Sequence, residues 1–211
     1  FSLCSTGGSL LAGGFGRVYR SDDAGTSWRS ASIATDLADP VDAMAALGDT
    51  VYACAGGRLF RSPDRGLRWT AVAGVRDVRQ VAVRDGRVFV AEAARVAESG
   101  DGGMQWTVRP GSPEGIHVLA VVHGTLFAAR PGSASIPDEA VLFRLGDAAG
   151  AWDTTALRSA NVRAIAPYEG ALHAGCGGPA SPRLLRSDDD GRSWTPVGES
   201  RPPFHGDSDV L

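Results

Sequence analysis

The eight residues SPDRGLRW at 62–69 decide the fold of this chain, because their S-x-D-x-G-x-x-W pattern returns three times in full and once in part. The complete copies are SDDAGTSW at 21–28, SGDGGMQW at 99–106 and SDDDGRSW at 187–194, and the partial copy is LGDAAGAW at 145–152. Each copy ends on one of the five Trp of the chain. The chain therefore repeats itself about every 40 residues, a period that indicates a solenoid or a propeller.

The residue types of this motif have separate structural tasks. The Asp can accept hydrogen bonds from backbone N–H groups of its own turn, each contributing on the order of 1.5–3 kcal/mol. The Gly supplies the positive φ of a tight turn, and we expect the Trp of each complete copy to be largely buried. Leu145 and Ala149 replace Ser and Gly in the partial copy, which predicts a looser turn. The predicted structural motif residues are Ser21, Asp23, Gly25, Trp28, Ser62, Asp64, Gly66, Trp69, Ser99, Asp101, Gly103, Trp106, Asp147, Trp152, Ser187, Asp189, Gly191 and Trp194.

Two short apolar runs precede each motif, as in VDAMAAL at 41–47 and TVYACA at 50–55. Such runs, separated by Gly-Asp or Asp-Gly turns, are typical of strands joined by hairpins. A third strand, such as LFRS at 59–62, leads into the motif, and a fourth follows the Trp. Four strands per repeat without helical periodicity predict an all-β propeller of four-stranded antiparallel blades. The five predicted blades of this single domain cover residues 1–36, 37–74, 75–112, 113–157 and 158–200.

The repeated motif resembles the Asp box, also named the BNR repeat, of sialidases and many other β-propellers. This resemblance covers essentially the whole chain and implies that the motif turns are structural rather than catalytic. It also implies that ligands bind on the opposite face, where second-to-third-strand loops and the connections between blades lie. The same resemblance favours a secreted or periplasmic protein.

The first and last residues of the chain both resemble part of an inner strand. FSLC at 1–4 and SDVL at 208–211 align with each other in the repeat, so residues 201–211 are expected to begin a further inner strand or to close the ring. One alternative is a five-bladed ring closed by 208–211. The other is a segment of a larger propeller, whose open blade edge another chain or further sequence would cover.

Charge and composition argue against several kinds of partner. The formal net charge is −3 and the pI is near 5.8, which leaves no basic field for nucleic acid. No apolar run is long enough to cross a bilayer, so we expect no membrane insertion. The three Cys and four His lack the close spacing of metal motifs, so we expect no metal and no cofactor.

Candidate binding residues lie at the starts of the inner strands and in two long loops. The loops at 129–140 and 175–183 are longer than their counterparts in the other repeats, and loops of this length are often functional. Charges around a wet axis can simply be solvated or paired with each other. Alternatively, the Arg among them grip an anionic or sugar ligand, because their fork donates two parallel hydrogen bonds. The candidate residues are Asp42, Arg79, His117, Arg163, Arg130, Asp138 and Glu139.

Two classes of function remain open from the sequence. A sialidase would require an F/Y-R-I-P segment and a free Tyr nucleophile; the first is missing, and only Tyr168 is a candidate for the second. Another glycoside hydrolase would require two facing carboxylates, and nothing selects a pair from the candidates. We therefore prefer a non-catalytic module that binds a glycan or a protein partner, with an exo-sialidase-like or other glycoside hydrolase as the alternative. The possible carboxylates are Asp42, Asp77, Asp138, Glu139 and Asp209.

Overall fold

A computed structural model describes most of the chain as antiparallel β-sheet. Within the described residues there is no helix, and therefore none that could span a membrane. The sequence predictions for Asp138, Glu139, Asp147 and residues 201–211 lie outside the described part of the chain. The described residues are 2–33, 39–131, 140–145, 150–158, 161–177 and 183–198.

In the described part of the chain, twenty strands form five four-stranded antiparallel sheets, and the strands of each sheet follow chain order. This is the all-β architecture of five propeller blades that the sequence predicts. Blade 1 contains β1 (Leu3–Thr6), β2 (Ser9–Gly13), β3 (Arg17–Ser21) and β4 (Arg29–Ser32). Blade 2 contains β5 (Val41–Leu47), β6 (Thr50–Ala55), β7 (Arg58–Ser62) and β8 (Thr70–Ala71). Blade 3 contains β9 (Gln80–Arg84), β10 (Arg87–Ala91), β11 (Val96–Ser99) and β12 (Thr107–Val108).

Blades 4 and 5 repeat this arrangement; blade 4 has a long outer strand and blade 5 has a long inner strand. Blade 4 contains β13 (Val118–Val122), β14 (Thr125–Arg130), β15 (Val141–Leu145) and β16 (Trp152–Arg158). Blade 5 contains β17 (Val162–Tyr168), β18 (Ala171–Cys176), β19 (Arg183–Ser187) and β20 (Thr195–Pro196). The inner strands of consecutive blades, β1, β5, β9, β13 and β17, pack against one another in that order.

Each blade is joined to the next on the same face of the molecule. Val41 N–H donates to Gly14 O at 2.9 Å and Val78 N–H donates to Gly57 O at 2.9 Å, so each connection is tied to the β2–β3 or β6–β7 turn before it. We call this side, which carries the second-to-third-strand turns and the starts of the inner strands, the loop face. The motif turns lie at the other end of each third strand, on what we call the motif face.

Apolar side chains from facing sheets fill the spaces between blades. Leu11 and Val18 of blade 1 pack with Val51 and Phe60 of blade 2, and all four are buried. Because successive side chains of a strand point to opposite faces, the other side of blade 2 packs in the same way on blade 3. Burial of a large apolar side chain contributes roughly 1.5–3 kcal/mol, so these contacts between blades stabilise the fold.

A closed hydrogen-bond network holds each complete motif turn. Ser62 Oγ donates to Asp64 Oδ1 at 2.7 Å and accepts the N–H of Gly66 at 2.8 Å. Asp64 Oδ1 also accepts the N–H groups of Leu67 at 3.1 Å and Arg68 at 2.9 Å. The same bonds from Ser to Asp and from Gly to Ser recur in blades 1, 3 and 5.

We expect Asp64→Ala to lower the free energy of unfolding by about 2 kcal/mol, because two backbone N–H groups lose a charged acceptor. Asp49→Ala is the matched control, since the Asp49 side chain is exposed and lies in a distant ion pair with Arg65 at 3.7 Å; its effect should stay within about 0.5 kcal/mol. Urea unfolding followed by Trp fluorescence measures both values. Equal values for the two variants would show that the motif carboxylate has no structural role.

The motif carboxylates titrate at unusually low pH. Hydrogen bonds from the Ser27 hydroxyl, the Ser27 N–H and the Ser21 hydroxyl lower the pKa of Asp23 to about 2. Equivalent bonds lower the pKa of Asp189 to about 2 as well. Since each folded-state pKa lies below the unfolded-state value of about 3.9, the stabilisation is complete above that value and is lost as the pH falls toward 2.

We therefore expect the melting temperature to fall steeply between about pH 4 and pH 2. The double variant Asp23→Asn, Asp189→Asn should be less stable at pH 7 but should show a flatter profile across this interval. Circular dichroism melts at a series of pH values measure the difference. A variant profile as steep as that of the parent chain would rule out these two carboxylates as the source.

The expectation that the motif Trp are largely buried is wrong for Trp28, which is 41% exposed. Trp69 is buried between blades 1 and 2, whereas Trp106 and Trp194 are half-buried. The difference has a structural reason, because the side of blade 1 that carries Trp28 faces away from blade 2. The burial of a motif Trp thus depends on the neighbouring blade more than on its own turn.

Candidate functional site

An open cleft of about 490 Å³ lies on the loop face beside the inner strands of blades 2, 3 and 4. Its lining contains three of the polar residues predicted from the sequence, together with nearby residues of the connections between blades. The lining residues are Asp42, Gly57, Asp77, Val78, Arg79, Gln80 and His117.

The repeat places Arg79 and His117 at matching points of adjacent blades. Arg79 N–H donates to Ala91 O at 2.9 Å, and His117 N–H donates to Ala129 O at 3.0 Å. Each bond joins the start of an inner strand to the end of the second strand in the same blade. The two side chains therefore enter the cleft region from equivalent backbone positions.

Glu92 holds the connection that carries Asp77 and Arg79. It is buried in the β10–β11 turn, where its Oε1 accepts the N–H of Arg76 at 2.9 Å and its Oε2 pairs with Arg95. Asp77 itself has a φ of 53°, a left-handed conformation that costs an ordinary residue about 1–2 kcal/mol. Glu92 thus stabilises a strained segment at the edge of the cleft.

The cleft is polar and carries charges of both signs. Partial burial raises the pKa of Asp42, and the positive charge of Arg79 opposes that shift. Burial lowers the pKa of His117, and the charge of Arg163 lowers it further. His117 Nε2 lies 2.8 Å from Val162 O, so its N–H donates to blade 5, and this hydrogen bond opposes the lowering of the His117 pKa.

Arg79 is the cation of the cleft and is exposed to solvent. Within the described part of the chain it forms no ion pair, although several other Arg do. Its guanidinium is therefore available to an external carboxylate or phosphate.

The other predicted site residues lie outside the lining of the cleft. Arg163 is close to His117 on blade 5, and its side chain runs alongside Gly177. The guanidinium of Arg130 lies over the ring of Phe143 at 5.7 Å, so this residue packs within blade 4. Asp138 and Glu139 are not among the described residues.

Sequence reasoning missed Gln80, Gly57 and Glu92. Gln80 is a polar residue at the start of the apolar strand β9, and this interruption was a usable signal. Glu92 precedes Arg95 by three residues in a short turn, which is compatible with an ion pair but gives no hint of the bond to Arg76. The contribution of Gly57 depends on the close approach of Asp77, which only the three-dimensional structure shows.

The cysteines are buried or half-buried thiols, and Cys54 lies near Asp42 of the cleft. Cys54 and Cys176 are buried, Cys4 is half-buried, and the described residues contain no disulfide between them. Burial raises the pKa of Cys4 to about 11 and raises that of Cys54 further. Among the described residues, no three His, Cys, Asp or Glu side chains are grouped to hold a metal ion.

No protein-family model matches the chain, and no curated protein matches it by sequence. Solved structures do match. YCF48 bound to D1 peptide is similar with a TM-score of 0.68 and 12% identity, over 92% of this chain and 66% of that one. The GH74 xyloglucanase from Xanthomonas campestris is similar with a TM-score of 0.70 and 19% identity, over 92% of this chain and 37% of that one.

A third likeness is to the extracellular domain of the putative one-component system BT4673 from B. thetaiotaomicron. Its TM-score is 0.66 at 15% identity, over 96% of this chain and 29% of that one. These likenesses show the β-propeller fold. The chain spans about two thirds of YCF48 and a smaller part of the other two proteins. A likeness of this kind does not assign the activities of those proteins to this chain.

Proposed function

We propose that this chain is a non-catalytic binding module that recognises a protein partner through a carboxylate-bearing segment in the loop-face cleft. The observation that carries this proposal is the exposed Arg79, which has no ion pair within the described residues and lies beside the carboxylates of Asp42 and Asp77. The likeness to YCF48 bound to D1 peptide supports a peptide as the ligand class.

The chemistry of the cleft suits a peptide segment with an acidic side chain. Arg79 can donate two parallel hydrogen bonds to a carboxylate, while Asp42 and Asp77 can accept hydrogen bonds from the backbone amides next to it. Gln80 offers both a donor and an acceptor. Because Glu92 already holds the connection in place, less ordering free energy is required on binding.

We also infer that the motif turns are Asp boxes with a structural role. Their shared Ser–Asp–Gly hydrogen bonds support this assignment. In this interpretation, the motif face maintains the blades and the loop face binds the ligand.

Selection from a display library of random peptides tests the proposal directly. The immobilised chain is the target, and the variant Arg79→Ala, Arg163→Ala is used for counter-selection. We expect peptides that share an Asp or Glu at one position and that bind the parent chain and not the variant. Failure to enrich any peptide, or enrichment of peptides that bind both proteins equally, would overturn the proposal.

A glycoside hydrolase is the second candidate, because the carboxylates of Asp42 and Asp77 share one cleft and such an enzyme uses two carboxylates. The likeness to a xyloglucanase supplies a test substrate. A glycan array, a fluorogenic sialoside and xyloglucan oligosaccharides together separate the possibilities. Turnover that Asp42→Asn abolishes would favour the enzyme, whereas glycan binding without turnover would favour a lectin.

A further inference from the structure

The outer side of blade 1 is an apolar surface on which no other described blade packs. Leu3, Ala12 and Tyr19 pair in one row across β1, β2 and β3, and Leu10 and Trp28 lie on the same side. Leu3 is 69% exposed and Tyr19 is 41% exposed. We call these five residues the blade 1 end face.

The equivalent residues of blade 2 are covered by blade 1. Leu10 pairs with Ser21 as Val51 pairs with Ser62, and both Ser begin a motif, so the two blades can be aligned residue by residue. The blade 2 residues at these positions are buried in the contact with blade 1. They are Met44, Val51, Ala53, Phe60 and Trp69. The blade 1 end face thus has the composition and register of a surface that binds a preceding blade.

The outer side of blade 5 corresponds to the side of a blade that packs on the following blade. Leu184 and Val197 occupy the positions of Val18 and Ala31, the side of blade 1 that packs on blade 2. Val18 is fully buried, whereas Leu184 is 47% exposed. The blade 5 end face consists of the residues on this side, Ala166, Tyr168, His173, Leu184 and Val197.

The guanidinium of Arg186 indicates how a neighbouring blade would align on the blade 5 end face. Arg20 binds Asp22 and also donates from Nη1 to the carbonyls of Asp64 at 3.3 Å and Arg65 at 2.9 Å in the next blade. Arg186 occupies the same position in blade 5 and binds Asp188 with the same geometry. Its side chain is 48% exposed, against 11% for Arg20, whose guanidinium is covered by the motif turn of blade 2.

We propose that the blade 5 end face of one copy binds the blade 1 end face of a second copy, head to tail. The described interfaces between consecutive blades join a surface like the blade 5 end face to a surface like the blade 1 end face. A second copy supplies the same pair of surfaces and is therefore the binding partner that we propose. In this contact Arg186 donates to the backbone carbonyls of the Asp23–Ala24 turn of the second copy, as Arg20 does within the chain. The contact is heterologous, so each copy retains one free end face unless the assembly closes.

Sedimentation of the chain between about 1 and 100 µM tests this proposal, a range in which weak contacts between proteins become populated. We expect the weight-average mass to rise from 21.8 kDa to at least twice that value. Tyr19→Glu and Leu184→Glu should each remain monomeric alone, because one end face is blocked. Their equimolar mixture should form a dimer and stop at two copies, since only one intact face of each kind remains.

Leu67→Glu is the matched control, because Leu67 is exposed on a motif turn away from both end faces. It should associate like the parent chain. Circular dichroism verifies that every variant is folded. A parent chain that stays monomeric at all concentrations would overturn the proposal, as would Tyr19→Glu and Leu184→Glu proteins that associate individually like the parent.

Discussion

The variant Arg79→Ala is expected to bind an acidic peptide, selected on the parent chain, about 30–100-fold more weakly than the parent chain does. The reason is the loss of a charge-assisted, bidentate interaction worth roughly 2–3 kcal/mol. Arg163→Ala should have a smaller effect, below about tenfold, because Arg163 lies outside the lining of the cleft and acts through its charge. Titration calorimetry at two salt concentrations measures both contributions, and salt should weaken that of Arg163 more.

Arg68→Ala is the control for this experiment, since Arg68 is an exposed cation on the motif face. Its affinity should equal that of the parent chain. We expect the Arg79 variant to unfold at the same temperature as the parent, because an exposed residue that forms no ion pair with any described residue contributes little to stability. Full-strength binding by a folded Arg79→Ala protein would place the ligand elsewhere, and an unfolded variant would make Arg79 a structural residue.

Gly66→Ala is expected to destabilise the chain by about 4 kcal/mol, the largest effect of a single substitution in this account. Gly66 has a φ of 86°, which costs an Ala roughly 1–2 kcal/mol. An added Cβ would also overlap Leu11 Cδ2 of the preceding blade. Because Leu11 is fully buried in the contact between blades 1 and 2, its side chain must shift within packed surroundings, and this cost adds to the backbone strain.

Gly86→Ala separates the two contributions. Gly86 has a similar φ of 74°, but an added Cβ there would meet no atom within 4 Å. This control should lose only about 1–2 kcal/mol, since backbone strain acts alone. Urea unfolding of the two variants gives the difference. If both variants lose the same free energy, the packing of the motif turn against Leu11 does not contribute to stability.

The fold could be predicted from the sequence because the information is local and repeated. The apolar runs around Val51 and the turn residues from Ser62 to Trp69 specify strands and a tight turn without reference to distant residues. The exposure of Trp28 could not be predicted in this way. It depends on whether a further blade covers blade 1, and the motif sequence of blade 1 is as complete as that of blade 2.

Part of the candidate site could also be predicted, for the same reason. Asp42, Arg79 and His117 occupy matching positions in successive repeats, and repeat geometry brings matching positions together around one axis. Glu92 could not be found, because its bond to the backbone of Arg76 links two turns that only the folded chain brings together. The stacking of Arg130 on Phe143 is likewise a choice among side-chain conformations, and sequence position does not determine it.

Hydrogen–deuterium exchange of the chain with and without a selected acidic peptide tests the central claim most directly. Our account predicts slower exchange at 76–80 and at 115–117, which line or support the loop-face cleft, with unchanged exchange in the motif turns at 62–69 and 99–106. Protection of the motif turns or of the end faces of blades 1 and 5, with the loop face unchanged, would contradict it.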